Sequence, residues 1–310
     1  MSVNLEQSNH TPTHPKVLSN ASHTAHRGTG NLLTADSQVD FLDTRMHATY
    51  TAILMPALTT DQKPSIPRRV KRRLKRSVKS ALDVNRWYYR DAGGEKRPAF
   101  YDIDEIYPSL RELDRNYAVI REEVESVLLQ RDKLPRYHDL TKREQYISGT
   151  IDADKDWKVF MLSCLIGTLT ANQKKCPRTT ALLAKIPNLY QAFFSILDPG
   201  KSIPAHCGPY LGYLRYHLAL IVPKNNQPSM RVKDTIHTWQ EGRSIVFDDS
   251  WEHEVYNKSD GLRVVLIVDF LRPMSAPLHA TNWLLTHLIG RGSEEARQVM
   301  ANIEKYSLKS

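Results

Sequence analysis

The sequence predicts a mainly β fold, an antiparallel sandwich or barrel with flanking helices. From LYQAFFSIL onward the apolar period shortens to two or runs continuously, through YLRYHLALIVP, SMRVKD, HTWQEG, RSIVFDD and LRVVLIVDF. Turn residues such as Asp198, Pro199, Gly200, Asn225, Asn226 and Gly242 separate these runs. No helix-length segment intervenes, and short strands without crossover helices pair antiparallel.

The elements follow in order. Residues 1–62 are rich in Ser, Thr, Asn and His, with few large apolar residues and no sustained period, which is the composition of a disordered polar tail. Five of the twelve histidines lie there, and a disordered chain cannot hold them in a ligand geometry. Residues 63–90 form the next unit. Lys63, Arg68, Arg69, Lys71, Arg72, Arg73, Lys75, Arg76 and Lys79 fall in a window without an acid, and these nine cations equal the whole net charge of +9. The basicity is therefore local. Val70, Leu74, Val78, Ala81 and Leu82 recur at helical spacing among them, followed by Trp87, Tyr88 and Tyr89. Two readings of this basic amphipathic helix stay open: docking on an anionic membrane surface through residues 63–89, or a solvated helix whose stripe packs on the next domain. Nucleic acid is disfavoured, because its binders spread basic residues over a folded face.

Residues 91–310 make the remaining domain, with a β core at about 155–273. Ile106, Leu110, Leu113, Tyr117, Ile120, Val124 and Val127 predict one helix behind Pro108, its stripe covering a sheet. CPRTTALLAKIP reads as a short helix, and helices return over 276–306, the second after a Ser293 cap.

A chain of 310 residues with 41% hydrophobic content can build a substantial core. It has neither an apolar run of membrane-spanning length nor a secretory leader pattern, and Cys164, Cys176 and Cys207 are an odd count at unpatterned spacings. These point to a cytoplasmic protein, peripheral to the membrane if the basic helix docks. Cys207 reads as a packing residue.

The candidate chemistry begins with Arg215 and His217, which share one face of a strand. Arg263 shares a face with Val265 and Ile267, and a guanidinium carried into a sheet interior implies a carboxylate or phosphate partner. His253 follows the acidic turn FDDS, whose carboxylates could orient its imidazole.

HCGPYLGYLRYHLALIVP, TWQEGRSIVFDDSWEHEVYN and LRVVLIVDFLRP, in that order, resemble the aspartyl/asparaginyl β-hydroxylase family of Fe(II)/2-oxoglutarate-dependent dioxygenases. The resemblance covers residues 175–273 well and the preceding hundred loosely. It implies the double-stranded β-helix, a jelly roll of cupin-like type. It further implies that His206 and His253 ligate iron, that Arg263 clamps the distal carboxylate of 2-oxoglutarate, and that Ser195, Arg215 and His217 contact the same cosubstrate. Asp249 is the candidate behind the metal ligands. The reaction so implied consumes 2-oxoglutarate and O2 and hydroxylates an unactivated C–H bond. Many such oxygenases place an acid two residues after the first histidine, as the related lipid A hydroxylases are expected to do. Gly208 stands there instead, in agreement with the aspartyl/asparaginyl branch. Three substrate classes remain open: a peptidyl or free Asp/Asn-like amino acid, a membrane lipid acyl chain, or no substrate, in a non-catalytic jelly-roll membrane adaptor.

Overall fold

In chain order the elements are α1 (Val84–Asp91), β1 (Phe100–Tyr101), α2 (Ile103–Ile106), α3 (Arg111–Arg115), α4 (Tyr117–Leu128), α5 (Tyr137–Leu140), α6 (Gln145–Ser148), β2 (Trp157–Cys164), α7 (Thr170–Lys175), α8 (Pro177–Leu183), β3 (Leu189–Leu197), β4 (Ile203–His206), β5 (Tyr213–Ile221), β6 (Ser229–Val232), β7 (Thr235–Thr238), β8 (Ser244–Phe247), β9 (His253–Tyr256), β10 (Arg263–Leu271), α9 (Ala276–Leu284) and α10 (Glu294–Lys305). The computed structural model describes residues 83–306 apart from 141–144, 150, 151, 166, 168 and 291–293. The predicted polar tail, the basic segment through residue 82 and the Ser293 cap lie outside the described residues.

The strands form a six-stranded sheet, β1-β8-β5-β10-β3-β2, and a four-stranded sheet, β4-β9-β6-β7, with every pairing antiparallel. This is the expected jelly roll with flanking helices. β10 shows how the sequence builds it. Val264, Leu266, Val268 and Phe270 join the core under the helices, whereas Val265 and Ile267 join the core between the sheets. With both faces covered, all nine of its residues are buried, which is why the sequence reads there as one continuous apolar run. The inter-sheet face also receives Arg215, His217 and Ala219 from β5, in step with the period of two.

Two features differ from the sequence reading. The single helix expected across Ile106–Val127 is divided into α2, α3 and α4, although its apolar residues still cover the larger sheet. Tyr107, restricted by the proline after it, takes φ −160°, and Asn116 takes φ −104° while its Nδ2 donates to the Glu112 carbonyl, so each interrupts the helical backbone. The folded body also begins before residue 91. Tyr88 of α1 is fully buried against Tyr210, ring centroids 5.9 Å apart, and Asn85 accepts from the Leu211 amide. Of the three aromatics that follow the basic stripe, Tyr88 is thus a core residue, as the packing reading has it, and Trp87 faces solvent.

Candidate active site

β4 and β9 are paired so that His206 and His253 stand directly opposite one another. Opposed side chains on neighbouring strands are within contact, and the two imidazole centroids lie 4.2 Å apart with the planes inclined at 51°. His206 Nδ1 meets the Pro204 carbonyl at 2.8 Å and His253 Nδ1 meets the Trp251 carbonyl at 2.9 Å. A carbonyl can only accept, so both rings carry hydrogen on Nδ1 and keep the lone pair on Nε2, the tautomer a metal requires. Burial lowers the His206 pKa to about 4 and that of His253 well below the ordinary value, which keeps both imidazoles neutral. The sequence suggested that FDDS carboxylates orient His253; the ring is held instead by the backbone two residues before it. No group of three or more His, Cys, Asp or Glu side chains placed to hold a metal exists among the described residues. Among the described residues the histidine pair has no third His, Cys, Asp or Glu placed to complete a metal site.

The place where a third ligand would start is filled. A Cβ at position 208 would lie 2.5 Å from Cγ of Asp249 and nearer still to its Oδ1. Asp249 Oδ2 accepts from the Tyr213 hydroxyl at 2.9 Å and pairs with Arg215 Nη1 at 3.1 Å, whereas Oδ1 is buried without a protein partner. Burial, opposed by Arg215, pushes the Asp249 pKa up to about 7. Arg215 also forms a bidentate pair with Asp269, at 2.7 and 2.9 Å. Most of its fork is therefore committed to carboxylates of this chain. The neighbouring Asp248 takes no part in the site; it is held between Arg97 at 3.0 Å and Arg272 at 2.8 Å and pins the turn from which His253 departs.

Further along the inter-sheet space the polar groups lack partners. Arg263 is 1% exposed, its Nη1 reaches Ser195 Oγ at 3.3 Å, its Nε has no hydrogen-bond partner, and burial lowers its pKa to about 9. The carboxylate that the sequence implied for it is not supplied by the described chain. Ser195 Oγ also accepts from Trp157 Nε1 at 2.9 Å. With two N–H groups on its oxygen, the Ser195 hydroxyl is left to donate. His217 lies between Trp239 and Phe247, neither ring nitrogen has a partner, and burial together with the charges of Arg215 and Arg263 holds its pKa well below the ordinary value. Such groups are costly to bury unless something completes them. A cationic fork, a hydroxyl donor and an imidazole buried together between the sheets suit a dicarboxylate, and the lone-pair nitrogens of the histidine pair suit a divalent metal. Cys207 has no such character: burial raises its thiol pKa to about 12. Two contributors escaped the sequence reading. Trp157, at the start of β2, is visible only as a period-two partner of Val159 and Met161, and the Arg97–Asp248–Arg272 cluster joins segments too distant for any spacing rule.

Residues 114–273 match the model of the family described as aspartyl/asparaginyl beta-hydroxylase. The chain is 43% identical over 192 residues to the ornithine lipid ester-linked acyl 2-hydroxylase of Rhizobium tropici, a match covering 62% of this chain and 66% of that protein. It is 33% identical over 174 residues to the human aspartyl/asparaginyl beta-hydroxylase, covering 54% of this chain and 22% of that one. The match thus spans less than two thirds of either relative. A solved cupin domain from an Enterobacter cloacae transcriptional regulator is similar at 14% identity and a TM-score of 0.23, over 27% of this chain and 82% of that one, too slight a likeness to add to the strand order. No described helix is long and apolar enough to cross a membrane. With the family match spanning more than half of its residues and containing the histidine pair, this chain belongs to the aspartyl/asparaginyl beta-hydroxylase family, a family of hydroxylases.

Proposed function

We propose that the chain is an Fe(II)- and 2-oxoglutarate-dependent dioxygenase that hydroxylates an unactivated C–H bond in the acyl chain of a membrane lipid. The observation that carries the reaction class is Arg263, a buried guanidinium with no carboxylate of its own in the same inter-sheet space as two neutral imidazoles. His206 and His253 would hold the metal through Nε2. Arg263, Ser195 and His217 would hold the cosubstrate, the first two by N–H and O–H donation to one carboxylate and the third through its unpartnered ring. The N–H groups that Arg215 does not commit to Asp269 and Asp249 remain for another cosubstrate oxygen. When bound, iron, 2-oxoglutarate and O2 together supply the oxidation, in which decarboxylation to succinate accompanies hydroxylation. The chain's own residues orient these groups and keep bulk water from the space, with Asp249 Oδ1, buried without a protein hydrogen-bond partner, able to accept a hydrogen bond.

The lipid substrate is supported by the 43% identical relative named as a lipid acyl hydroxylase and by the nine cations ahead of the folded body, which suit an anionic membrane surface. A second reading, a peptidyl or free Asp/Asn-like substrate, is favoured by the 33% identity to the human relative and by Gly208, whose space Asp249 occupies. Purified protein supplied with Fe(II), ascorbate and 2-oxoglutarate is expected to release succinate, faster with its substrate, and His253→Ala is expected to stop it. Turnover unchanged in that variant would exclude the metal assignment. Lipid and metabolite comparison between cells with and without the gene, read as the gain of one oxygen, separates the two substrates.

A further inference from the structure

α9 is inside out. Its solvent-facing residues are Ala276, Pro277, Ala280, Trp283 and Leu284, at the i, i+1, i+4, i+7 and i+8 positions of one face, and none is polar. Trp283 and Leu284 are 44% and 47% exposed. The opposite side carries Asn282, fully buried, which donates to the Gly212 carbonyl and accepts from the Tyr210 hydroxyl. A surface helix ordinarily turns its polar residues outward. Here the amide anchors the helix and the apolar face is left to water. Trp283 is fixed in that outward pose by stacking on His287 in the following π-helical turn, centroids 4.5 Å apart.

The neighbours of this face select its occupant. The Asp91 carboxylate at the end of α1 accepts from the Ser275 amide and hydroxyl at the start of α9, at 3.1 and 2.8 Å. α1 is eight residues long, so Asp83, where the described residues begin, lies about one helix length, ~12 Å, from α9, and the sequence ahead of it carries the nine cations. α1 itself exposes Trp87 and Arg90. α9 also rests on the 207–212 loop, which leaves β4 directly after His206. Apolar residues with exposed tryptophan, no acidic residue on the face and a sequence with nine cations shortly ahead of α1 match the interface of an anionic bilayer, where aromatic rings sit at headgroup level and cations meet lipid phosphates.

We infer that the exposed face of α9 is a membrane-docking face, inserted by Trp283 and Leu284 into an anionic phospholipid bilayer while the basic segment supplies long-range attraction, so that the 207–212 loop following His206 is held towards the lipid. This deepens the lipid reading above and rests on it for its purpose, but its test reads binding and not turnover, so the two can fail separately.

The test uses the full chain with vesicles of phosphatidylcholine containing phosphatidylglycerol, in a salt concentration that screens the cationic segment. Brominated acyl chains are expected to quench tryptophan emission in the wild type, and Trp283→Phe to lose much of that quenching while still sedimenting with the vesicles. Trp283→Glu combined with Leu284→Glu is expected to lower partitioning at least about tenfold, with melting temperature and substrate-independent succinate release unchanged. A milder Leu284→Ser variant should fall between. Quenching that survives Trp283→Phe undiminished overturns the inference, as does wild-type partitioning by the double variant or by Leu284→Ser together with it. A concentration-dependent dimer that the double variant dissolves, with no wild-type quenching, assigns the face to a second copy of the chain and also overturns it.

Discussion

Gly208 and Asp249 occupy each other's space: the hydrogen of the glycine is the only substituent that fits beneath the aspartate carboxylate, and the Gly208 amide donates to the Asp249 carbonyl at 2.7 Å. The absence of an acid two residues after His206 is thus matched by an acid arriving from the turn between β8 and β9. Gly208→Ala should therefore destabilise the chain by ~1–3 kcal/mol, the usual result of forcing atoms into a filled site, and lower metal affinity as the turn is displaced. Gly208→Asp should be worse, despite restoring the residue other oxygenases carry. Combining it with Asp249→Gly should recover much of the loss. Chemical denaturation of the four proteins decides the matter: if the double variant is no more stable than Gly208→Asp, the proposed exchange of space is wrong.

Arg263 makes the ligand-free protein less stable than it could be. A guanidinium buried with one hydroxyl contact and no carboxylate has given up hydration without an ion pair. Arg263→Met keeps much of the volume and removes the charge. The ligand-free variant is expected to be more stable than wild type by ~1–4 kcal/mol, while 2-oxoglutarate at about a hundred times its Kd, worth ~2.7 kcal/mol to the wild type, should give the variant no thermal shift. Thermal melting with and without 2-oxoglutarate tests both halves, and a variant that melts lower in the absence of ligand yet retains the ligand shift contradicts the clamp.

The histidine pair yields the third prediction. Because each Nδ1 is held by a carbonyl two residues earlier, the ring orientation is set by local backbone and not by the metal. His206→Ala or His253→Ala should each abolish tight binding of Mn(II), a redox-stable probe, in calorimetry. His206 is at the partly exposed end of β4 and His253 is buried, so the first variant should keep a near-wild-type melting temperature and the second should lose more. Retained Mn(II) affinity in either would remove that residue from the site.

How much of this was legible beforehand follows from which physics acts locally. β10, β5 and β3 could be read because a strand buried on both faces is apolar without interruption, and Arg215 could be placed with His217, and Arg263 with Val265 and Ile267, because side-chain alternation is independent of context. The approach of His206 to His253 was legible only through the family resemblance; register between strands forty-seven residues apart is not a property of either strand. The division of the Ile106–Val127 helix was hidden because its apolar spacing survives the breaks, the stripe being set by the sheet it covers. Asp249 was singled out for its position near His253, but its real neighbours, Gly208, Tyr213 and Arg215, come from the loop and strand that follow β4.

Asp249 finally gives a pH signature. Its folded-state pKa, about 7, is raised by burial above the ordinary carboxylate value of 3.8. The folded protein therefore holds this proton more tightly than the unfolded chain does, and between those two values folding takes up a proton. The stability so contributed is full below pH ~4 and is lost as pH rises through about 7. The buried neutral histidines act in the opposite sense, since the unfolded chain binds protons first below the ordinary histidine value, 6.5, and stability falls as pH drops from there. The two trends overlap, so the wild-type curve alone does not separate them. The difference between wild type and Asp249→Asn does: the histidines cancel, and the wild-type advantage should shrink steadily from pH 4 to pH 7 and level off above. Urea denaturation at five or so pH values across that range measures it, and a difference that is flat, or that grows with pH, would mean that the Asp249 carboxyl is ionised throughout, held by Arg215 against its burial.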